Sequence, residues 1–182
     1  RQRLAHLSGV RDLRIDFEDL EVIGFTSSSA LVGKNHAFKA LRVRWPTIRE
    51  LHAEGLLLVP SRPNGINIVA IPDADHTPEM ITGLAPGITA ASQYARRLAE
   101  SGCQVLIPTI LSRKLEQRNG RATLTHREYI YRSAYELGRH LIGYEIQAIL
   151  AAVDWFEKQA DEKTDSIGVM GWGEGGLLAL YS

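Results

Sequence analysis

The chain has 182 residues, 45% hydrophobic and 23% charged, and its 21 basic side chains balance 21 acidic ones. That length supports one domain with a sizeable core, and without a basic excess nucleic acid is not expected as a partner. The single cysteine, Cys103, excludes an intrachain disulfide and a cysteine-built zinc site, and no apolar run approaches the roughly 20 residues that span a membrane.

Residues 1–36 read as an N-terminal arm or peripheral segment, and residues 37–182 as the main domain. In the arm, Leu13, Ile15 and Phe17 alternate with charged side chains, as in a short strand or an extended arm. Residues 21–26 read as another short strand and 27–29 as a loop. From Ala37 the pattern sharpens. Leu41, Val43 and Trp45 recur with period two before Pro46, a half-buried strand. Arg42 and Arg44 form its wet side, not a phosphate patch. Residues 55–60 read as a second strand and 66–72 as a third. Between them Asn64 and Gly65 supply the turn chemistry of a tight hairpin, so antiparallel pairing is expected throughout this half.

A polar loop follows over 72–79, then a second loop over 82–89. Residues 90–101 read as a helix with Tyr94 and Leu98 on one face and Arg96, Arg97 and Glu100 on the other, closed by Gly102. Cys103 is expected as a packing residue before a strand at 105–108. Residues 113–123, with Asn119 and Gly120, read as a polar surface excursion. Residues 126–160 are helical: Thr125 is the N-cap, Glu128 completes a capping box, and Gly138 and Gly143 bracket a break. Ile146, Ile149, Leu150, Val153 and Phe156 then form an amphipathic face. A charged loop over 161–165 leads into a buried strand at 167–170, a glycine-dense turn and the start of a helix. The later alternation of strand and helix implies parallel strands with right-handed crossovers.

The turn carries the chemistry. Strand, sharp turn and helix form the context of the nucleophile elbow, G-x-S-x-G. The outer glycines are Gly171 and Gly175, and the serine position is Gly173. The same stretch matches a dinucleotide fingerprint through Gly171, Gly173 and Gly176, which keeps a nucleotide-binding oxidoreductase open. Against that reading, Glu174 would bring negative charge to a pyrophosphate, and such fingerprints usually open a domain.

Residues 167–171 and 174–177 resemble the elbow of α/β hydrolases of the dienelactone-hydrolase and acetyl-xylan-esterase type. Residues 137–143 and 148–155 resemble the helix that precedes the elbow strand in those bacterial esterases, and residues 55–60 and 69–72 fit their early strands. The resemblance covers residues 37–182. It implies an α/β-hydrolase three-layer sandwich, with a mostly parallel sheet, antiparallel N-terminal strands and a break-off after the elbow. The chain begins at Arg1 with no methionine or signal-like segment and ends at Ser182, so it reads as a piece of a longer protein. Its compartment stays open between cytoplasm and export.

The resemblance implies a carboxylic-ester hydrolase relative acting on small-molecule or carbohydrate esters, without a cofactor. The family serine falls on Gly173, which cannot form an acyl-enzyme, and the acid and histidine would lie beyond Ser182. Either the Glu174 N–H still serves an oxyanion hole, or the turn persists after catalysis was lost. A carboxylate role for Glu174 is a third reading. The second oxyanion donor is expected in the loop Asp73, Ala74, Asp75. Asp73, Asp75 and His76 also admit a metal reading, but aspartates two apart occur in ordinary loops, so no metal site is assigned. His76 and Trp172 are expected to wall a pocket. A non-catalytic ligand- or partner-binding protein on the same fold is the alternative.

Overall fold

The computed structural model describes residues 2–24, 29–118, 122–160 and 166–182. The end of the short strand expected over 21–26, most of the serine loop, the Asn119–Gly120 turn and the charged loop over 161–165 lie outside the described residues. The elements in chain order are α1 (Gln2–Ser8), β1 (Glu21–Val22), β2 (Leu31–Lys34), β3 (Phe38–Pro46), β4 (His52–Pro60), β5 (Ile66–Ile71) and α2 (Pro78–Thr82). A 3₁₀ turn (Ala90–Ser92) leads into α3 (Tyr94–Glu100), β6 (Gln104–Pro108), β7 (Leu115–Arg118) and β8 (Ala122–Thr125). The chain closes with α4 (His126–Glu136), α5 (Leu141–Gln159), β9 (Ser166–Gly171) and α6 (Glu174–Tyr181).

The main sheet has the order β1-β3-β4-β6-β5-β9, with β2 also paired to β3. Strands β1 to β4 pair antiparallel, β4 meets β6 antiparallel, and β5 lies parallel to both β6 and β9. Period-two side-chain alternation sorts its residues onto two cores. Val43, Trp45, Leu57, Val69, Ile71 and Leu106 face α5 and α6, where Ile146, Ile149, Phe156 and Leu178 complete the packing. Phe38, Ala40, Leu56, Leu58, Ala70, Val105 and Ile107 face α2 and α3, against Ile81, Ala95, Ala99 and Cys103. Helices cover both faces of a mixed sheet, which is the three-layer α/β arrangement. The buried Trp45 donates its Nε1–H to the Ala148 carbonyl at 3.1 Å, tying β3 to α5.

Several expectations change. The Asn64–Gly65 turn does not make a hairpin, because β6 lies between β4 and β5. The turn chemistry is local and correct: Gly65 has φ 77, and Asn64 Oδ1 accepts the Ile66 N–H at 3.0 Å. It serves a corner, where the Asn64 N–H donates to the Gly102 carbonyl at 3.0 Å. The helix expected over 90–101 begins as the 3₁₀ turn and becomes α-helical at Tyr94. The polar loop over 72–79 is shorter than expected, since Thr77 caps α2 and Pro78 starts it. The excursion over 113–123 contains the β7–β8 hairpin. Of the two glycines expected to bracket a helix break, Gly138 sits at it with φ 70, whereas Gly143 lies inside α5. A Cβ at Gly143 would stand 2.0 Å from the Ser8 carbonyl, so this glycine admits the end of α1. Residues 10–20 form no strand. They lie along α5, with Arg14 paired to Asp154 and Gln147 donating to the Asp12 carbonyl at 3.0 Å.

Candidate functional site

β9 ends at Gly171 and α6 begins at Glu174, so the reversal takes two residues. Gly173 stands at its tip with φ 58 and ψ −124, a backbone region costly to residues with a side chain. The outer glycines are required by contact. A Cβ on Gly171 would meet the Gly175 carbonyl oxygen at 2.0 Å, and one on Gly175 would meet the Ile71 oxygen at 2.3 Å. Helix, elbow strand and β5 are therefore pressed together backbone to backbone.

β5 runs beside β9 in register, Ile71 opposite Gly171, so their following loops leave the sheet at the same end. That places Asp73 against the turn. Asp73 Oδ2 accepts the Glu174 backbone N–H at 2.8 Å, and Oδ1 accepts the Asp75 N–H at 3.0 Å. A Cβ on Gly173 would lie 1.9 Å from Asp73 Oδ2. The carboxylate thus occupies the space of a side chain at residue 173 and also takes the N–H that follows it. Burial pushes the Asp73 carboxyl up, but the bonds from Glu174, Asp75 and Arg113 outweigh it and hold the group below its ordinary 3.8. Ala74 is 2% exposed and packs in the core below, which anchors the loop.

A chain of ion pairs surrounds this carboxylate. Arg113, at the entry to the β7–β8 hairpin, donates from Nη1 to Asp73 at 2.9 Å and to Asp75 at 3.0 Å, and from Nη2 to Glu174 at 3.0 Å. The other Glu174 oxygen accepts from Arg127 Nη2 at 2.8 Å. Arg127, one residue into α4, also forms a two-pronged pair with Glu145 of α5 at 2.8 and 3.0 Å. The Glu145 side chain is 7% exposed and that of Arg127 12%, and the Leu111 N–H adds a further bond to Glu145 at 3.0 Å. Glu174 therefore turns its carboxylate toward the hairpin, between two guanidinium groups, with only its N–H facing the turn. The Asp73 and Asp75 carboxylates share Arg113, so a cation at this loop would have to displace it.

On the other side of the turn lies a cleft of about 810 Å³. His76, Ser92, Tyr94, Met170 and Trp172 are among its walls, with Trp172 69% exposed. Tyr94 donates its hydroxyl to the Ile71 carbonyl at 2.6 Å, and burial together with the Asp73 charge raises its pKa, which keeps it protonated. The sequence reading names Gly173, Glu174, Asp73, Ala74, Asp75, His76 and Trp172, and the structure brings all of them to this end of the sheet. It misses Arg113, Arg127, Glu145 and Tyr94. Tyr94 alone had a signal, as an aromatic on the inward face of a helix after a loop.

A parallel β5–β9 pair with a glycine elbow between strand and helix, under helices on both faces, defines an α/β-hydrolase fold. The family model described as the dienelactone hydrolase family matches residues 62–182, and the chain belongs to that family. Among solved structures, it is similar to a Bacteroides fragilis protein assigned as an acetyl xylan esterase, with 15% identity, a TM-score of 0.70, and 99% of this chain and 47% of that one covered. It is also similar to acetyl xylan esterase 1 from Thermoanaerobacterium sp. JW/SL YS485, with 16% identity, a TM-score of 0.53 and coverages of 99% and 51%. A cold-adapted esterase from an Arctic intertidal metagenomic library follows at 14% identity, a TM-score of 0.51 and coverages of 82% and 56%. The chain spans about half the length of these structures. No curated protein sequence matches it.

Proposed function

We propose that this protein is a carboxylic-ester hydrolase relative that has kept the elbow and its neighbouring cleft but does not form an acyl-enzyme at residue 173. The carrying observation is the tip itself: Gly173 has no nucleophile, and the Asp73 carboxylate stands where its side chain would project. The acyl-enzyme route of an elbow needs a hydroxyl or thiol at the tip, activated by a base, and a tetrahedral oxyanion needs free N–H donors. Glu174 and Asp75, two of the expected donors, already give their N–H groups to Asp73. What supports retained binding is the cleft with Tyr94, His76 and Trp172 beside the turn. A small ester or carbohydrate ester would bind there by apolar and aromatic contact. The nucleotide reading is disfavoured by the same carboxylate, which lies where a pyrophosphate would meet the start of α6.

The test is made on the full-length protein. A serine-directed phosphonate should leave residue 173 unlabelled, and acetyl-ester turnover should stay at the low level that binding alone supports. Strong turnover abolished by Glu174→Gln would overturn the reading. Such a carboxylate mechanism would have to release Glu174 from both Arg113 and Arg127.

A further inference from the structure

A serine elbow needs room for a Cβ at its tip and an N–H at the next residue that is free for the substrate. Here a single carboxylate takes both. Asp73 Oδ2 lies 1.9 Å from the place of a Cβ at residue 173 and accepts the Glu174 N–H at 2.8 Å. Its other oxygen is fixed by the Asp75 N–H and Arg113. Arg113 is itself held by Asp75 and Glu174, so the carboxylate is braced from the hairpin side as well. The obstruction at residue 173 is the end of a side chain, not backbone. Any side chain introduced there must swing the carboxylate off the Glu174 N–H, and it loses that charge-assisted bond.

We infer that Asp73 is a built-in plug of the elbow: the carboxylate at residue 73 and a side chain at residue 173 are mutually exclusive occupants of one space. A consequence follows for restoring the hydrolase. Gly173→Ser alone sets the new side chain in competition with the Asp73 carboxylate for that space, and a second change at residue 73 removes the competition. The inference rests on Gly173 being the elbow tip, and its test reads stability and an amide resonance instead of turnover, which separates its failure from failure of the proposed function.

The experiment is a double-mutant cycle in the whole protein with Gly173→Ala and Asp73→Ala. The strain of φ 58 at residue 173 is common to both backgrounds and cancels, leaving the contact with Asp73. The loss of melting temperature from Gly173→Ala should be smaller in the Asp73→Ala background than in wild type. Sodium formate, against sodium chloride at equal ionic strength, should raise the melting temperature of Asp73→Ala and leave wild type unchanged. Equal losses in the two backgrounds, or a formate effect common to all versions, overturn the plug. A third measurement needs no variant. In wild type the Glu174 amide resonance should shift as acid protonates Asp73, and an amide that ignores that titration also overturns it.

Discussion

Asp73 is governed by opposing effects whose balance has a sign that can be measured. Burial disfavours its charge, while two backbone N–H groups and a guanidinium favour it, and the second set wins. A carboxyl held below its ordinary value contributes stability that is complete above that value and is lost as pH falls through the lower, folded one. Asp73→Asn should therefore flatten the acid limb of the stability profile while changing neutral-pH stability by a constant amount; parallel acid limbs for the two proteins would contradict this. Arg127 makes a different argument. It is the only guanidinium that touches Glu145 among the described residues, and both side chains are nearly out of water. Removing one member of a buried pair leaves the other charged and unpaired, at about 3–5 kcal/mol. Arg127→Met should lower stability by about 3 kcal/mol in denaturant titration, well beyond the shift from Arg96→Met, whose pair with Glu100 is solvent-exposed.

At the scale of elements, the elbow depends on backbone contact and the helices on their caps. Gly171→Ala forces a methyl into the Gly175 carbonyl. Neither atom can rotate away, so strand and helix must separate, at about 1–3 kcal/mol. Gly168→Ala on the same strand meets only Ile68 at 4.0 Å and should cost little. Equal melting temperatures for these two variants would count against the close packing of α6. Thr125 accepts the Glu128 N–H, and Glu128 reaches back to the Thr125 N–H, closing the capping box at the start of α4. Thr125→Ala should cost about 1 kcal/mol, read as an earlier thermal transition. These features were legible in the sequence because glycine density and S/T-x-x-E spacing act over a few residues. Thr77, Pro78 and Gly83 carried the same kind of signal for α2, yet the loop reading passed over it. What was not legible is non-local. Arg113 meets Asp73 across 40 residues, and Arg127 meets Glu174 across 47. No period or motif marks an arginine that pairs at that distance. The Asn64–Gly65 hairpin failed for the same reason, since local turn chemistry fixes a bend but leaves the partner strand open.

Across the whole molecule, the sheet is well covered at its centre and open at one side. β9 pairs only with β5 among the described strands, and its outer edge has no ladder partner there. The surface beside that edge is apolar: Met170 is 42% exposed, Trp172 69%, and Leu177 and Leu180 on α6 39% and 80%. An unpaired strand edge flanked by exposed apolar side chains invites pairing with another chain. The 182-residue chain expressed alone should therefore self-associate, with sedimentation mass rising with concentration and binding of an apolar dye in the folded state. Leu180→Lys tests the origin of this behaviour, because it places a charge at the most exposed of these apolar positions without touching either core. It should reduce association and dye binding together while leaving the melting temperature nearly unchanged, since Leu180 lies outside both clusters. A chain that stays monomeric at all concentrations, or a variant that associates as strongly as wild type, would mean that the open side of β9 and α6 is not the sticky surface this geometry describes.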